Sequence, residues 1–333
     1  MTSYALRFAA FVAVSAASLT LLSATGSPPV PDGPAEAARP LEDPEPATTA
    51  ELDPSWSLDR LDDPPRTVIE DGDGSWVATF TDAASTVIVA GPERIFDEPT
   101  ADHAVATDVW VRLLPAPFDG DVDAEWLEAA RSPAEPDVLE VAMQYLDGAP
   151  AIRDEHGTLI AGAASYGPLR PDGTRAVGSD WHDYRGVDAV YGDRIDPADP
   201  EEYGALDCSG YTRTVYGARL GVPMSLRPDG GTSLPRRSFE QAAEAPGIVP
   251  IADGQLDAQH LQAGDLVFFD LDGSRARIDH VGIYLGEDAD GDHRFVHSRP
   301  TADGPTMGGD DRGPSILNGA GWYAEGFVST RRL

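Results

Sequence analysis

The sequence predicts an α+β fold over most of its length, preceded by a smaller β-rich region. Three observations carry that expectation. Late in the chain, "GDLVFFD", "HVGIYLG" and "RFVHSRP" are short apolar runs rich in β-branched and aromatic side chains, and they read as neighbouring antiparallel strands. "DAEWLEAAR", "PDVLEVAMQYLDGAP" and "SGYTRTVYGARLG" read as helices, with apolar residues recurring on one side. Upstream of these strands, "SWVATFTD", "STVIVAGPERIF" and "DVWVRLLPAPF" form a cluster of β-rich runs.

The N-terminal residues predict export. Arg7 is the only charge before an apolar run from Phe8 to Ala24, and Ala24, Thr25 and Gly26 offer a cleavage site. The run suits a signal peptide, 1–26, and falls short of the ~20 residues that span a bilayer. An uncleaved anchor is the alternative. No cysteine follows for acylation and no later run could span a membrane. The mature chain is therefore expected to be secreted, associated with the cell wall and not an integral membrane protein. Residues 27–66 pack ten prolines and ten acids into forty positions and predict an extended, disordered linker.

Residues 67–131 are expected to form the small β-rich domain. Its first two strands flank a turn at Asp82, Ala83 and Ala84, a third covers 108–118, and a short helix is capped by Asp123 with Trp126, Leu127 and Ala130 on one side. Wall-binding module and structural cap remain equal readings of it. Residues 132–333 form the second domain. Its first helix, 136–150, places Val138, Val141, Ala142 and Tyr145 toward a core. Residues 151–203 read mostly as loop, yet hold Tyr166, Trp181, Tyr184, Tyr191 and Tyr203, too many aromatics for a disordered spacer. This insert is expected to wall a cleft, with packing on the first domain as the alternative.

Charge excludes some partners. All 24 basic residues are arginine, against 57 acids, for a formal charge of −33. Such a chain has no field for nucleic acid or an anionic membrane. No phosphate-binding or dinucleotide-binding glycine motif occurs, and no cofactor is expected. "DADGD" lacks the glycine and closing glutamate of a calcium loop and predicts a hairpin turn. His293 and His297 lie four apart with no third ligand, so no metal is expected. A monomer is expected.

Cys208 is the only cysteine, and an exported chain has little use for one unpaired thiol except chemistry. At the first turn of a helix, beside an imidazolium, its thiol is expected to have a depressed pKa. A histidine must take and return the proton. His103, His156, His182 and His260 sit in polar sequence and read as surface residues. His280 opens a core strand, and His297 on the next strand is placed to orient its ring.

"LDCSGYTRTVYG", "LPRRSFEQ", "LQAGDLVFFD", "DHVGIYLG" and "RFVHS" occur in the order typical of the NlpC/P60 family of bacterial cell-wall cysteine peptidases, which the sequence resembles from Ala205 to Leu333. The resemblance implies a papain-like fold with the cysteine helix packed on an antiparallel sheet. It implies cleavage of peptidoglycan stem peptides, often between D-glutamate and diaminopimelate. It makes Cys208 the nucleophile, His280 the base and His297 the orienting residue, with Asp207 and Ser209 contacting the free amino end of the substrate. Relatives commonly carry "GVPYVWGG" upstream; in this chain "GVDAVYGD" puts Ala189 in place of the tyrosine, and Tyr191 is expected to substitute for it. An amidase or acyltransferase using the same thiolate, and a non-catalytic wall-binding or scaffold protein, are the alternatives.

Overall fold

The computed structural model describes residues 52–273, 278–310 and 312–333. The expected signal peptide and residues 27–51 of the expected linker lie outside them. The rest of that linker is not disordered. Ser57–Asp62 forms strand β1 and Pro65–Glu70 forms β2, paired antiparallel. Proline-rich composition pointed the other way, but Pro64 and Pro65 sit at the hairpin corner, where a missing N–H breaks no ladder. Arg60 on β1 pairs with Asp82, and Trp56 packs on the core of this region.

Trp76–Thr81 (β3), Thr86–Phe96 (β4) and Val105–Leu113 (β5) complete a five-stranded antiparallel meander in sequence order. Strand β5 begins earlier than its expected span, and it also ends earlier, because Pro115 and Pro117 cannot donate to a ladder. Asp123 caps helix α1 (Ala124–Ala130) by accepting from the N–H groups of Glu125 and Trp126. Leu127 and Ala130 close one side of the sheet over Phe80, Val87 and Trp110.

Helix α2 (Val138–Met143) is only the first half of the expected helix. Beyond it the chain turns, and the Tyr145 hydroxyl donates to the Ile160 carbonyl at 2.9 Å. The α2 cap, Asp137, also takes the Arg94 guanidinium and the Val111 N–H, which fixes α2 to β4 and β5. The insert holds two short hairpins, β6 (Ile152–Arg153) with β7 (Leu159–Ala161) and β8 (Ala189–Tyr191) with β9 (Arg194–Asp196), and helix α3 (Trp181–Arg185) between them.

Helix α4 (Cys208–Arg213) continues as a π-helical turn, Thr214–Arg219, and α5 (Ser238–Glu244) follows. The second large sheet contains β10 (Leu266–Phe269), β11 (His280–Glu287), β12 (His293–Arg299) and β13 (Gly304–Thr306). After the small β14 (Gly309–Asp310) and β15 (Gly313–Pro314) pair and α6 (Trp322–Gly326), β16 (Phe327–Arg331) closes it. The order is β13-β12-β11-β10-β16, all antiparallel. Helix α4 packs on β11 and β12.

The two sheets share apolar contacts: Phe96, Val105 and Val111 of the first are buried in one cluster with Val138, Tyr211, Val281 and Ile283. The described residues fall in one compact unit. Its seam is polar as well, since the Leu333 carbonyl accepts from the Ser85 and Thr86 N–H groups at the start of β4. Among the described residues no helix is long and apolar enough to cross a membrane.

Candidate active site

Cys208 is the first residue of α4, and local chemistry explains why the helix starts there. The Asp207 carboxylate accepts from the Gly210 N–H at 2.7 Å, satisfying one of the free donors of the first turn. Gly210 is required by a close approach: a Cβ there would lie 2.2 Å from the Ser179 carbonyl oxygen. The far end of α4 is held by Arg213, whose fully buried guanidinium donates to Asp180 at 3.1 Å and to the Ser225 and Leu234 carbonyls at 2.7 and 2.6 Å.

A cavity of about 370 Å³ opens beside the cysteine, lined by Tyr166, Gly178, Asp207, Cys208, Ser209, Arg236 and Asp279 among others. Arg236 organises its floor. It donates to Asp207 Oδ2 at 2.8 Å, to Ser209 Oγ at 2.8 Å and to the Gly178 carbonyl at 2.5 Å. Burial opposes its charge, but Asp207 and Asp180 outweigh burial and hold the guanidinium above its ordinary pKa. Both Asp207 oxygens are engaged, because Gly178 N–H also donates to Oδ2 and the Ser209 hydroxyl to Oδ1. Asp207 and Ser209 thus reach the cavity as parts of a closed network.

Ile278 and Asp279, just before β11, close another side of the cavity, whereas His280 and His297 are not in its lining. Helix α4 packs on β11, and Cys208 and Val281 are buried in one apolar cluster. His280 Nε2 and His297 Nδ1 are 2.5 Å apart with the rings nearly perpendicular. His297 Nε2 lies 3.0 Å from Ser315 Oγ, whose hydroxyl donates to the Gly308 carbonyl at 2.6 Å. Gly282 lets the strands meet closely, since a Cβ there would lie 3.1 Å from that of His297.

Electrostatics differ from the expected activated pair. Burial, then the Asp207 carboxylate, push the Cys208 thiol up to about 12; Arg236 and nearby backbone N–H groups oppose them without winning. Burial, then the Arg299 guanidinium, hold His280 down to about 3, and His297 is held well below the ordinary imidazole range. The resting pair is a thiol and a neutral imidazole. A six-residue helix end cannot offset the desolvation of a thiolate that is 5% exposed.

Two further expectations are corrected. Tyr191 is not in the cavity lining: its hydroxyl accepts from Arg213 at 2.5 Å and from Trp181 Nε1 at 3.1 Å, behind the helix. Ala189 is buried in β8, opposite Asp196. His182 is no surface residue but is buried in α3 beside Asp180 and Asp183. Conversely, Arg236 and Ser315 carry site geometry that the sequence did not assign, while Tyr166, one of the aromatics of the insert expected to wall a cleft, is buried and lines the cavity. Arg236 sits within a recognised motif. No sequence signal marks Ser315.

Several known proteins resemble this chain. The NlpC/P60 family model matches residues 192–307. A gamma-D-glutamyl-L-lysine dipeptidyl-peptidase of Bacillus cereus is 32% identical over 93 residues, 28% of this chain and 21% of that protein. The enzyme of the same name from Bacillus subtilis is 34% identical over 81 residues, 24% of this chain and 21% of its own length. This chain thus spans about a fifth of the length of the curated relatives it matches. A crystal structure of a Bacillus cereus NlpC/P60 family protein is 30% identical, covering 38% of this chain and 32% of that one at a TM-score of 0.26. A Staphylococcus aureus protein described as similar to a lipoprotein of the NLP/P60 family is 18% identical, covering 66% and 50% at a TM-score of 0.27. With its helix-borne cysteine beside an antiparallel sheet, the chain contains an NlpC/P60 family domain at residues 192–307.

Proposed function

We propose that this protein is a secreted cysteine peptidase that hydrolyses peptidoglycan stem peptides, of the D-glutamyl–diaminopimelate endopeptidase type. The observation that carries the reading is the packing of α4, which begins at Cys208, on β11, whose first residue, His280, meets His297. Relatives named as gamma-D-glutamyl-L-lysine dipeptidyl-peptidases support the substrate class. The apolar run at 8–24 supports export.

His280 Nδ1 takes the Cys208 proton as the sulfur attacks the scissile carbonyl, and the imidazolium then protonates the leaving amine. The acyl group remains on sulfur as a thioester. Water attacks it, giving its proton to His280, and the carboxylate product leaves as the thiol is restored. Because the free pair is neutral, proton transfer and attack are coupled rather than prepaid. The oxyanion is met by the Cys208 N–H, which as the first helical residue has no intrahelical acceptor, and by the Tyr166 hydroxyl. Burial, then the nearby Cys208 and Asp207, raise the phenol pKa, so Tyr166 stays a donor.

Digestion of purified peptidoglycan, with mass analysis of the fragments, tests the reading. The protein should release peptides ending at D-glutamate, and Cys208→Ala should release none. Equal release by both proteins would sink it.

A further inference from the structure

We propose that Ser315 is a positioning residue which fixes the tautomers of His297 and His280 and thereby leaves a bare Nδ1 on His280 for the Cys208 proton. The inference rests on the reading of His280 as the base. Its starting point is one short contact. Ser315 Oγ lies 2.6 Å from the Gly308 carbonyl oxygen, and a carbonyl cannot donate. Two oxygens that close without a proton between them would repel, so the hydroxyl proton is committed to Gly308.

Everything else follows by counting donors. Ser315 Oγ can then only accept from His297 Nε2, at 3.0 Å, so that nitrogen carries the proton. His297 Nδ1 is bare and accepts from His280 Nε2, at 2.5 Å. His280 therefore carries its proton on Nε2 and has a lone pair on Nδ1. The reverse setting would run every proton the other way and put the proton on His280 Nδ1, so that this nitrogen could not act as a base. When the thiol proton moves to His280 Nδ1, the ring becomes an imidazolium whose Nε2–H still donates to His297, and no other proton has to move.

The end of this chain is braced from outside the second sheet. The Gly308 carbonyl also accepts from Arg299 Nη2 at 3.1 Å. Its neighbours are held by the segment that follows β4: Glu98 accepts from the Thr306 hydroxyl and the Met307 N–H, both at 2.6 Å, and the Thr100 carbonyl accepts from Gly309 N–H at 2.9 Å. A Cβ on Gly308 would lie 2.1 Å from Thr100 Oγ1. The β-rich region thus fixes the acceptor that sets the tautomers.

Two measurements test the proposal. Two-bond proton–nitrogen spectra of the full chain labelled with nitrogen-15, assigned with His280→Gln and His297→Gln, read each ring directly. Both rings should carry the proton on Nε2; a proton on Nδ1 of either ring overturns the proposal, whatever the substrate proves to be. In peptidoglycan digestion, Ser315→Ala should lower kcat about 10- to 100-fold, the order found when the hydrogen-bond partner that orients a metal-bound histidine is removed. KM should stay near wild type, Tm should fall by a few degrees because a buried hydroxyl with two partners is lost, and Ser315→Thr, which keeps a hydroxyl, should recover most of both losses. Wild-type kcat in Ser315→Ala would overturn it. If no peptide is cleaved even by the wild type, the functional reading falls while the spectra still decide the tautomers.

Discussion

The helix side and the sheet side of the candidate site are built from opposite materials. The helix side is ionic: Asp180, Asp207, Arg213 and Arg236 form a buried network in which each guanidinium bonds a carboxylate. The sheet side has two histidines in line, ended by a hydroxyl and a backbone carbonyl rather than by a carboxylate. Charge on the helix side fixes where the sulfur and the cavity floor lie, because a buried ion pair tolerates little displacement. Neutrality on the sheet side fixes which nitrogen can move a proton. A carboxylate behind His297 would favour a standing imidazolium; Ser315 orders the rings without supplying charge.

The contrast predicts different failures. On the sheet side, His280→Ala should lower kcat by about 10⁶-fold, as loss of the histidine of a triad does. On the helix side, Arg236→Met leaves Asp207 and Asp180 short of a buried partner and should cost about 3–5 kcal/mol of stability. Digestion assays and thermal melts check both. An Arg236→Met protein that melts with the wild type would erase the difference between the two sides.

Tyr166→Phe sharpens the comparison at the cavity itself. If its hydroxyl meets the oxyanion, kcat should fall about 10²-fold with KM little changed, as for loss of one such donor. A purely packing role would leave kcat untouched.

Much of the chemistry-bearing half was legible because it is local. Strands β10, β11 and β12 are nearly continuous apolar runs, and the Asp207 cap is written one residue before Cys208. Features that depend on distant segments were not. Ser315 meets His297 across 18 positions and Glu98 meets Met307 across 209, and neither distance leaves a periodic trace. β1 is exposed along its whole length, so it shows no apolar alternation, and its proline-rich surroundings read as linker. The raised thiol pKa leaves no trace in the sequence for a related reason. Sequence displays the helix end but not the burial that outweighs it.

The pH behaviour follows from that burial. With the thiol raised to about 12, iodoacetamide should alkylate Cys208 more slowly at neutral pH than it does the denatured chain, whose thiol has the ordinary value near ~8.5. The rate should then climb with pH toward the alkaline range. His280, held down to about 3, has the opposite linkage: below the ordinary imidazole value of ~6.5 the unfolded chain binds a proton that the folded chain refuses. Stability should therefore fall as pH drops from 6.5 toward 3. A neutral-pH plateau in alkylation would mean a standing thiolate and end the account of a neutral resting pair.

The smallest effect is expected behind the helix. Tyr191 stands near the position where relatives carry a tyrosine, yet its hydroxyl bonds Arg213 and Trp181 instead of facing the cavity. Arg213 keeps four other contacts, two to Asp180 and one each to Ser225 and Leu234. Tyr191→Phe therefore removes one acceptor from a charged donor that is otherwise well held, at a cost of about 1–2 kcal/mol. Tm should drop by a few degrees, on the order expected for that loss. The kcat should stay within about twofold of wild type, because no oxyanion contact is lost. A large kcat loss with unchanged Tm would return Tyr191 to the cavity, make it the oxyanion donor in place of Tyr166, and merge the ionic side with the catalytic one.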